Sequence, residues 1–150
     1  MSGFYNKGIL DNLSQVQRSR QMSLVRPRDT KPEWIVRRTV HSLGYRYRLH
    51  VAYLPGKPDL VFPSRQKIIF VHGCFWHRHR TSCPLTRIPK SRVSFWEEKF
   101  VENRKRDRQN LRELRKLGWQ VLTLWECELN NPSKLVDKLK RFLDEQHDIN

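Results

Sequence analysis

Hydrophobic positions along the chain switch between two spacings. Ile35, Val36, Val40 and Leu43 recur at helical spacing behind Thr30 and Glu33, a capping-box pair with Pro32 in the first turn. Gly44 stands where such a helix stops. From 45 to 53 the pattern becomes an alternation rich in aromatic and β-branched residues, which predicts a strand or extended edge. A turn follows through Leu54, Pro55, Gly56, Lys57 and Pro58. Residues 59–62 and 67–72 read as two short strands joined by 63–66. The second is apolar almost throughout, as in a strand inside a covered sheet. Residues 73–92 are irregular and crowded with His, Cys, Arg and Pro. Ser94 and Glu97 repeat the capping-box pattern and open a long helix to Leu117, with Trp96, Phe100, Leu111 and Leu114 facing inward and Gly118 as its stop. Residues 119–125 form another buried strand. Asn131 and Pro132 start a last helix with Leu135, Leu139 and Phe142 on one side.

The order helix, three strands, helix, strand, helix predicts an α/β layer fold with a mixed central sheet flanked by helices. A length of 150 residues suits one core. Residues 1–29 are polar and carry no sustained period. They read as a flexible basic arm with a short helix near 13–24, leaving 30–150 as a single domain.

Charge narrows the function. The chain has 30 basic and 15 acidic residues, a formal charge of +15. A field of that size draws polyanions, and nucleic acid is the usual target of such a chain. Solubility alone is the other reading of the bias. An acidic membrane surface fits less well, because there is no long apolar run and no strongly one-sided basic helix. The first 30 residues hold no apolar segment followed by a small-residue cleavage site, which predicts a cytoplasmic protein. Three cysteines, an odd number in a reducing compartment, argue for metal binding or burial over a disulfide framework.

Cys74, His79 and Cys83 are spaced by four and three residues, with Cys127 far downstream. Three sulfurs and one imidazole suit a tetrahedral Zn²⁺ with no open position, a structural metal. Buried free cysteines are the alternative, and His77 competes with His79 for the nitrogen ligand. Phosphodiester hydrolysis needs an activated water and neutralised charge, which Mg²⁺ on a few carboxylates supplies. Asp59, at the start of a strand after a turn, is the candidate; a turn aspartate bonded to local backbone is the alternative. His72 and His77 are candidates for general base work near neutral pH, or else loop histidines bonded to backbone. Glu33 is a further acid with a capping purpose of its own. Phe75 and Trp76, adjacent aromatics in a basic loop, read as groups outside the core that wedge between base pairs, or as packing over the metal loop. Met22 in the arm is a weaker candidate for the same work. The run from Asn103 to Arg108 lays charge along phosphates or forms a solvated helix face, and Asp107 within it pairs with an arginine or orients a histidine.

His72-Gly73-Cys74-Phe75-Trp76-His77, preceded by Leu54-Pro55-Gly56-Lys57-Pro58-Asp59 and followed by Phe95-Trp96-Glu97 and Trp125-Glu126-Cys127, resembles the very short patch repair endonuclease family over about residues 17 to 128. The resemblance implies a restriction-endonuclease-like core and Mg²⁺-dependent nicking of double-stranded DNA on the 5′ side of the thymine in a T:G mismatch. By position it makes Asp59 the metal-binding carboxylate, with the Val71 backbone carbonyl beside it. His77 becomes the general base, His72 a second active-site histidine, Glu33 an acid near the site and Asp107 the support of a histidine. Cys74, His79, Cys83 and Cys127 become structural zinc ligands, and Phe75, Trp76 and Met22 the duplex wedge. Val71 departs from the family's threonine, and Arg78 and Arg80 interrupt its histidine run. A nucleoid-associated bacterial protein is implied, with repair-pathway proteins as further partners. A monomer is expected, since an asymmetric mismatch offers no twofold axis. Two other readings remain: a related sequence-specific nuclease of restriction or defence type, and a non-catalytic zinc-stabilised DNA-binding module.

Overall fold

The computed structural model describes residues 29–80 and 82–146. Met22, the expected short helix near 13–24 and nearly all of the expected arm lie outside the described residues.

Helix α1 spans Lys31–Ser42 and starts as its sequence predicts. The Thr30 side chain accepts from the Glu33 N–H and the Glu33 carboxylate accepts from the Thr30 N–H. Strands β1 (Leu60–Phe62) and β2 (Lys67–His72) form an antiparallel pair around a 3-10 turn at Pro63–Arg65. A short helix α2, Cys74–His77, then leads through the irregular segment to the long helix α3, Val93–Lys116. Strand β3 (Gln120–Trp125) pairs parallel to β2, and α4 (Pro132–Asp144) closes the order behind an Asn131 cap. The three strands stand in the order β1-β2-β3, so the sheet is mixed as expected.

Two expectations fail locally. Residues 45–53 form no strand; only an isolated bridge joins Arg48 to Val61. The aromatics there pack singly instead: the Tyr47 ring lies edge-on to Phe62, and the Tyr45 hydroxyl donates to Asp144 Oδ1. The second capping box is also absent. Helix α3 starts two residues early, with Arg92 at its N-cap position in the left-handed region at φ 56° and no side-chain cap.

The strand period of two divides the core between the sheet's faces. Ile69, Val71, Leu60, Phe62 and Leu124 pack with Val36 and Val40 of α1 and with Leu135, Leu139 and Leu143 of α4. On the other face Ile68 and Val61 meet Leu114 of α3, with Val51 and Leu54 from the preceding loop. A third cluster, Phe75, Trp96 and Phe100, joins α2 to α3. Among the described residues no helix is long and apolar enough to cross a membrane.

Candidate active site and metal cluster

Topology brings the candidate groups together. Antiparallel pairing carries the start of β1 to the end of β2, and parallel pairing carries the end of β3 to the same edge. That edge opens into a cleft of about 510 Å³, whose lining includes Glu33, Asp59, Val71, His72, His77 and Asp107. Helix α3 forms one wall, because Arg104, Asp107, Arg108 and Leu111 recur at helical spacing along it.

One half of the cleft is acidic. Asp59 Oδ2 accepts a hydrogen bond from the Val71 N–H at 2.6 Å. Burial, the Glu33 charge and a hydrogen bond with Glu33 raise the Asp59 pKa well above the carboxylate range, against the opposing Val71 bond and the Arg37 charge. Glu33 Oε2 in turn accepts from Arg37 Nη2 at 3.3 Å, and that same nitrogen lies 2.9 Å from Asp29 Oδ1. Arg37 is 4 % exposed. Two carboxylates crowded at a strand edge make a hard-oxygen site with excess negative charge, which a divalent cation relieves.

The other half is built from imidazoles. The His72 and His77 rings stack with centroids 3.8 Å apart at 8°. Burial and the neighbouring His77 charge depress the His72 pKa to about 3, so His72 is neutral at physiological pH. His77 Nδ1 lies 2.6 Å from Asp107 Oδ2. Burial would raise the Asp107 pKa, but the His77 bond and charge outweigh it and hold the group below its ordinary value. His72, His77 and Asp107 are close enough to be considered as a metal-ligand set. A 2.6 Å contact between Nδ1 and Oδ2 is a hydrogen bond, however, and is too short for two ligands of one octahedral ion, ~3 Å apart at bond lengths of about 2.1 Å. The acidic half is the better cation site.

Behind the cleft, Cys74, His79, Cys83 and Cys127 bring their ligand atoms within 4.8 Å of one another. His79 Nδ1 is 3.8 Å from Cys74 Sγ and 3.3 Å from Cys127 Sγ. A tetrahedral ion with bonds of about 2.0–2.3 Å sets its ligands ~3.5–3.8 Å apart, so the cluster has the dimensions of a closed four-ligand metal site. The cluster takes His79 as its nitrogen and leaves His77 to the cleft. Burial, then the Arg80 charge, lowers the His79 pKa and favours the neutral imidazole a metal requires. Burial pushes the Cys74 and Cys127 thiols up.

These sites frame a similarity to known proteins. Residues 10–83 match the family model of the DNA mismatch endonuclease Vsr. The type II nicking enzyme V.XorIIP of Xanthomonas oryzae pv. oryzae is 46 % identical over 89 % of this chain and 97 % of its own length. The DNA mismatch endonuclease Vsr of Escherichia coli is 41 % identical, over 81 % of this chain and 76 % of its own. The type II nicking enzyme V.NmeAIP of Neisseria meningitidis is 40 % identical, over 92 % and 97 % respectively. The chain belongs to the Vsr family. It is an endonuclease.

In this Vsr-family enzyme the cleft gathers Glu33, Asp59, Val71, His72, His77 and Asp107, all named from the sequence. Phe75 departs from its expected place outside the core. It is 3 % exposed and packs edge-on against Trp96 and Phe100, at 5.4 and 5.2 Å between centroids. Trp76 is half-buried on the rim of the same cluster. A basic loop can sink an aromatic when α3 offers two more, and Trp96 and Phe100 sit four residues apart for that purpose. Sequence reasoning passed over Arg37, although its place four residues after Glu33 is an ion-pair spacing. It also passed over Glu126, whose pKa burial raises to about 7 beside the metal cluster while the Cys74 N–H bonds to it.

Proposed function

We propose that this protein nicks one strand of double-stranded DNA on the 5′ side of the thymine in a T:G mismatch, using Mg²⁺ at Asp59. The observation that carries the reading is the meeting of two pairs in one cleft: the Glu33–Asp59 carboxylates and the His77–Asp107 hydrogen-bonded couple. When bound at Asp59 and the Val71 carbonyl, Mg²⁺ would neutralise charge on the phosphate and the leaving oxygen. With Asp107 accepting from Nδ1–H, Nε2 of His77 would be free to take a proton from the attacking water. Asp107 then stabilises the imidazolium so formed. His72 stays uncharged against the His77 face and adds no repulsion at that moment. Glu33 supports the cation site from the start of α1, where Arg37 offsets part of its charge.

The sheet order and flanking helices fit a restriction-endonuclease-like core. Zinc is the metal the Cys74, His79, Cys83 and Cys127 cluster suits best, since soft thiolates and an imidazole close all four positions. Such a site holds α2 to the end of β3 and performs no hydrolysis. Phe75 and Trp76 are the proposed wedge; they pack in the aromatic cluster and would leave it to enter a duplex. Single-strand cleavage accords with relatives named as nicking enzymes.

Matched and T:G duplexes incubated with Mg²⁺ test the reading beside Asp59→Ala. The expected result is one nick next to the mismatched thymine, lost in the variant while DNA binding persists. Equal cleavage of matched DNA would replace mismatch repair with a restriction-type nuclease. Nicking by Asp59→Ala at the normal rate would remove Asp59 from the metal site.

A further inference from the structure

Arg78 interrupts the histidine-rich run, and the structure gives it a defined place. It follows α2 in the left-handed region at φ 52°, where its N–H bonds to the Cys74 carbonyl. Side chains adopt that backbone at a cost, and such residues gather where function constrains the chain. The guanidinium carbon lies 4.2 Å from the centroid of Phe100, a ring that is itself only 4 % exposed. The arginine therefore rests on a fixed aromatic face at the cleft wall, next to His77.

Among the described residues its charge has no counter-ion. Arg78 Nη1 is buried without a hydrogen-bond partner, and among the described residues no ion pair includes Arg78 or Arg104. Arg104 reaches the same cleft from α3, one turn before Asp107. Besides burial, it is the Arg104 charge that opposes protonation of Arg78, and both residues line the cleft. Two guanidiniums lining one cleft, neither in an ion pair among the described residues, are not an arrangement that folding alone favours. A bound phosphate reverses the sign of that interaction, and its oxygens match the planar forks of both side chains.

We propose that Arg78 and Arg104 together bind one backbone phosphate of the DNA strand in the cleft, next to the phosphate that His77 and Asp59 act on, and so fix the register of that strand. They are positioning residues, since the reacting atoms lie with the histidine and carboxylate pairs. The inference rests on the reading of the cleft as a DNA site and adds the group that sets the strand's position there.

The test is a binding measurement without Mg²⁺, so that no strand is cut. Duplexes carrying a T:G mismatch are made with one methylphosphonate at a time, each neutralising a single phosphate near the thymine. Wild type, Arg78→Ala and Arg104→Ala are titrated against the series. At one position neutralisation should weaken wild type roughly tenfold and leave both variants with little further loss. At all other positions the three proteins should lose affinity alike. Each variant should also lower the slope of log affinity against log salt by about one. Equal losses for variants and wild type at every position would overturn the proposal. Arg104 is exposed on a long helix, so Arg104→Ala decides the matter even if Arg78→Ala fails to fold. Failure of mismatch recognition would show separately, as equal binding of matched and mismatched duplexes by wild type.

Discussion

Asp59 is held in a state that the fold alone disfavours. Burial and the Glu33 charge raise its pKa, so the folded protein holds that proton more tightly than the unfolded chain does. The sign follows from linkage. The stability this carboxyl contributes is full below its ordinary pKa of 3.8 and is lost as pH rises through the raised folded value. At neutral pH the charged form is therefore a net cost in the absence of metal. Asp59→Asn should remove the cost, keep an oxygen to accept the Val71 N–H, and raise stability by about 1 kcal/mol, or ~2–4 °C in Tm. The same variant should lose nicking. Added Mg²⁺ should raise the wild-type Tm and leave the variant's unchanged. Thermal unfolding with and without Mg²⁺ reads both effects, and a lower Tm for Asp59→Asn would show that the acidic pair is no store of strain. His72 carries the opposite sign: its depressed pKa makes the metal-free fold lose stability as pH falls from 6.5 toward about 3.

At the scale of elements, the long periodic segments were legible and the exceptions have local causes. Helices α1, α3 and α4 and strands β2 and β3 lie where spacing put them, because each buries a stripe or face that spacing reveals. Residues 45–53 show the strand pattern and form no strand, since propensity cannot say whether a partner edge is in reach. Lys67 opens an apolar strand and is 3 % exposed; its ammonium donates to the carbonyls of Phe142 and Glu145 at the end of α4, a contact 75 residues or more away in sequence. The candidate residues themselves were found through motif order, whereas their pairings, such as His77 with Asp107, are tertiary facts. Gly56 belongs to the legible kind. Its φ is +77°, and a Cβ there would meet Asn110 Nδ2 of α3 at 3.0 Å and its Cβ and Cγ at 3.1 Å. The turn that leads into Asp59 is thus seated directly on the helix that carries Asp107. Gly56→Ala should cost about 1–2 kcal/mol through the positive φ alone. It should also lower the nicking rate by lifting the turn off α3. Asn110→Ala in the same chain should recover part of the rate, since it removes two of the three contacts, and leave the φ cost in place. Additive losses in the double variant would mean that the turn and α3 are not coupled at this contact.

Across the whole molecule, a metal in the Cys74, His79, Cys83 and Cys127 cluster would tie segments that apolar burial does not join well. The stretch between α2 and α3 holds few buried apolar groups, and Cys74 and Cys127 lie at opposite ends of the path from α2 through α3 and β3. A closed metal site would supply that link, and its free energy would become folding free energy. Without metal, burial keeps the Cys74 and Cys127 thiols protonated, so binding must release protons. A bound metal would hold both as thiolates. Stability from the metal is therefore present at neutral pH and lost as pH falls and protons compete for sulfur. Removing the metal by chelation at neutral pH should cost several kcal/mol, ~10 °C or more in Tm, and should abolish nicking even with Mg²⁺ in excess. Restoring Zn²⁺ should recover both together. Cys127→Ser should mimic chelation, and added Zn²⁺ should rescue it poorly, because one of four ligands has gone. Nicking that survives complete removal of the metal, in protein whose Tm has fallen, would uncouple the cluster from the cleft. Retention of both Tm and nicking would mean that packing of Phe75, Trp96 and Phe100 alone holds α2 in place.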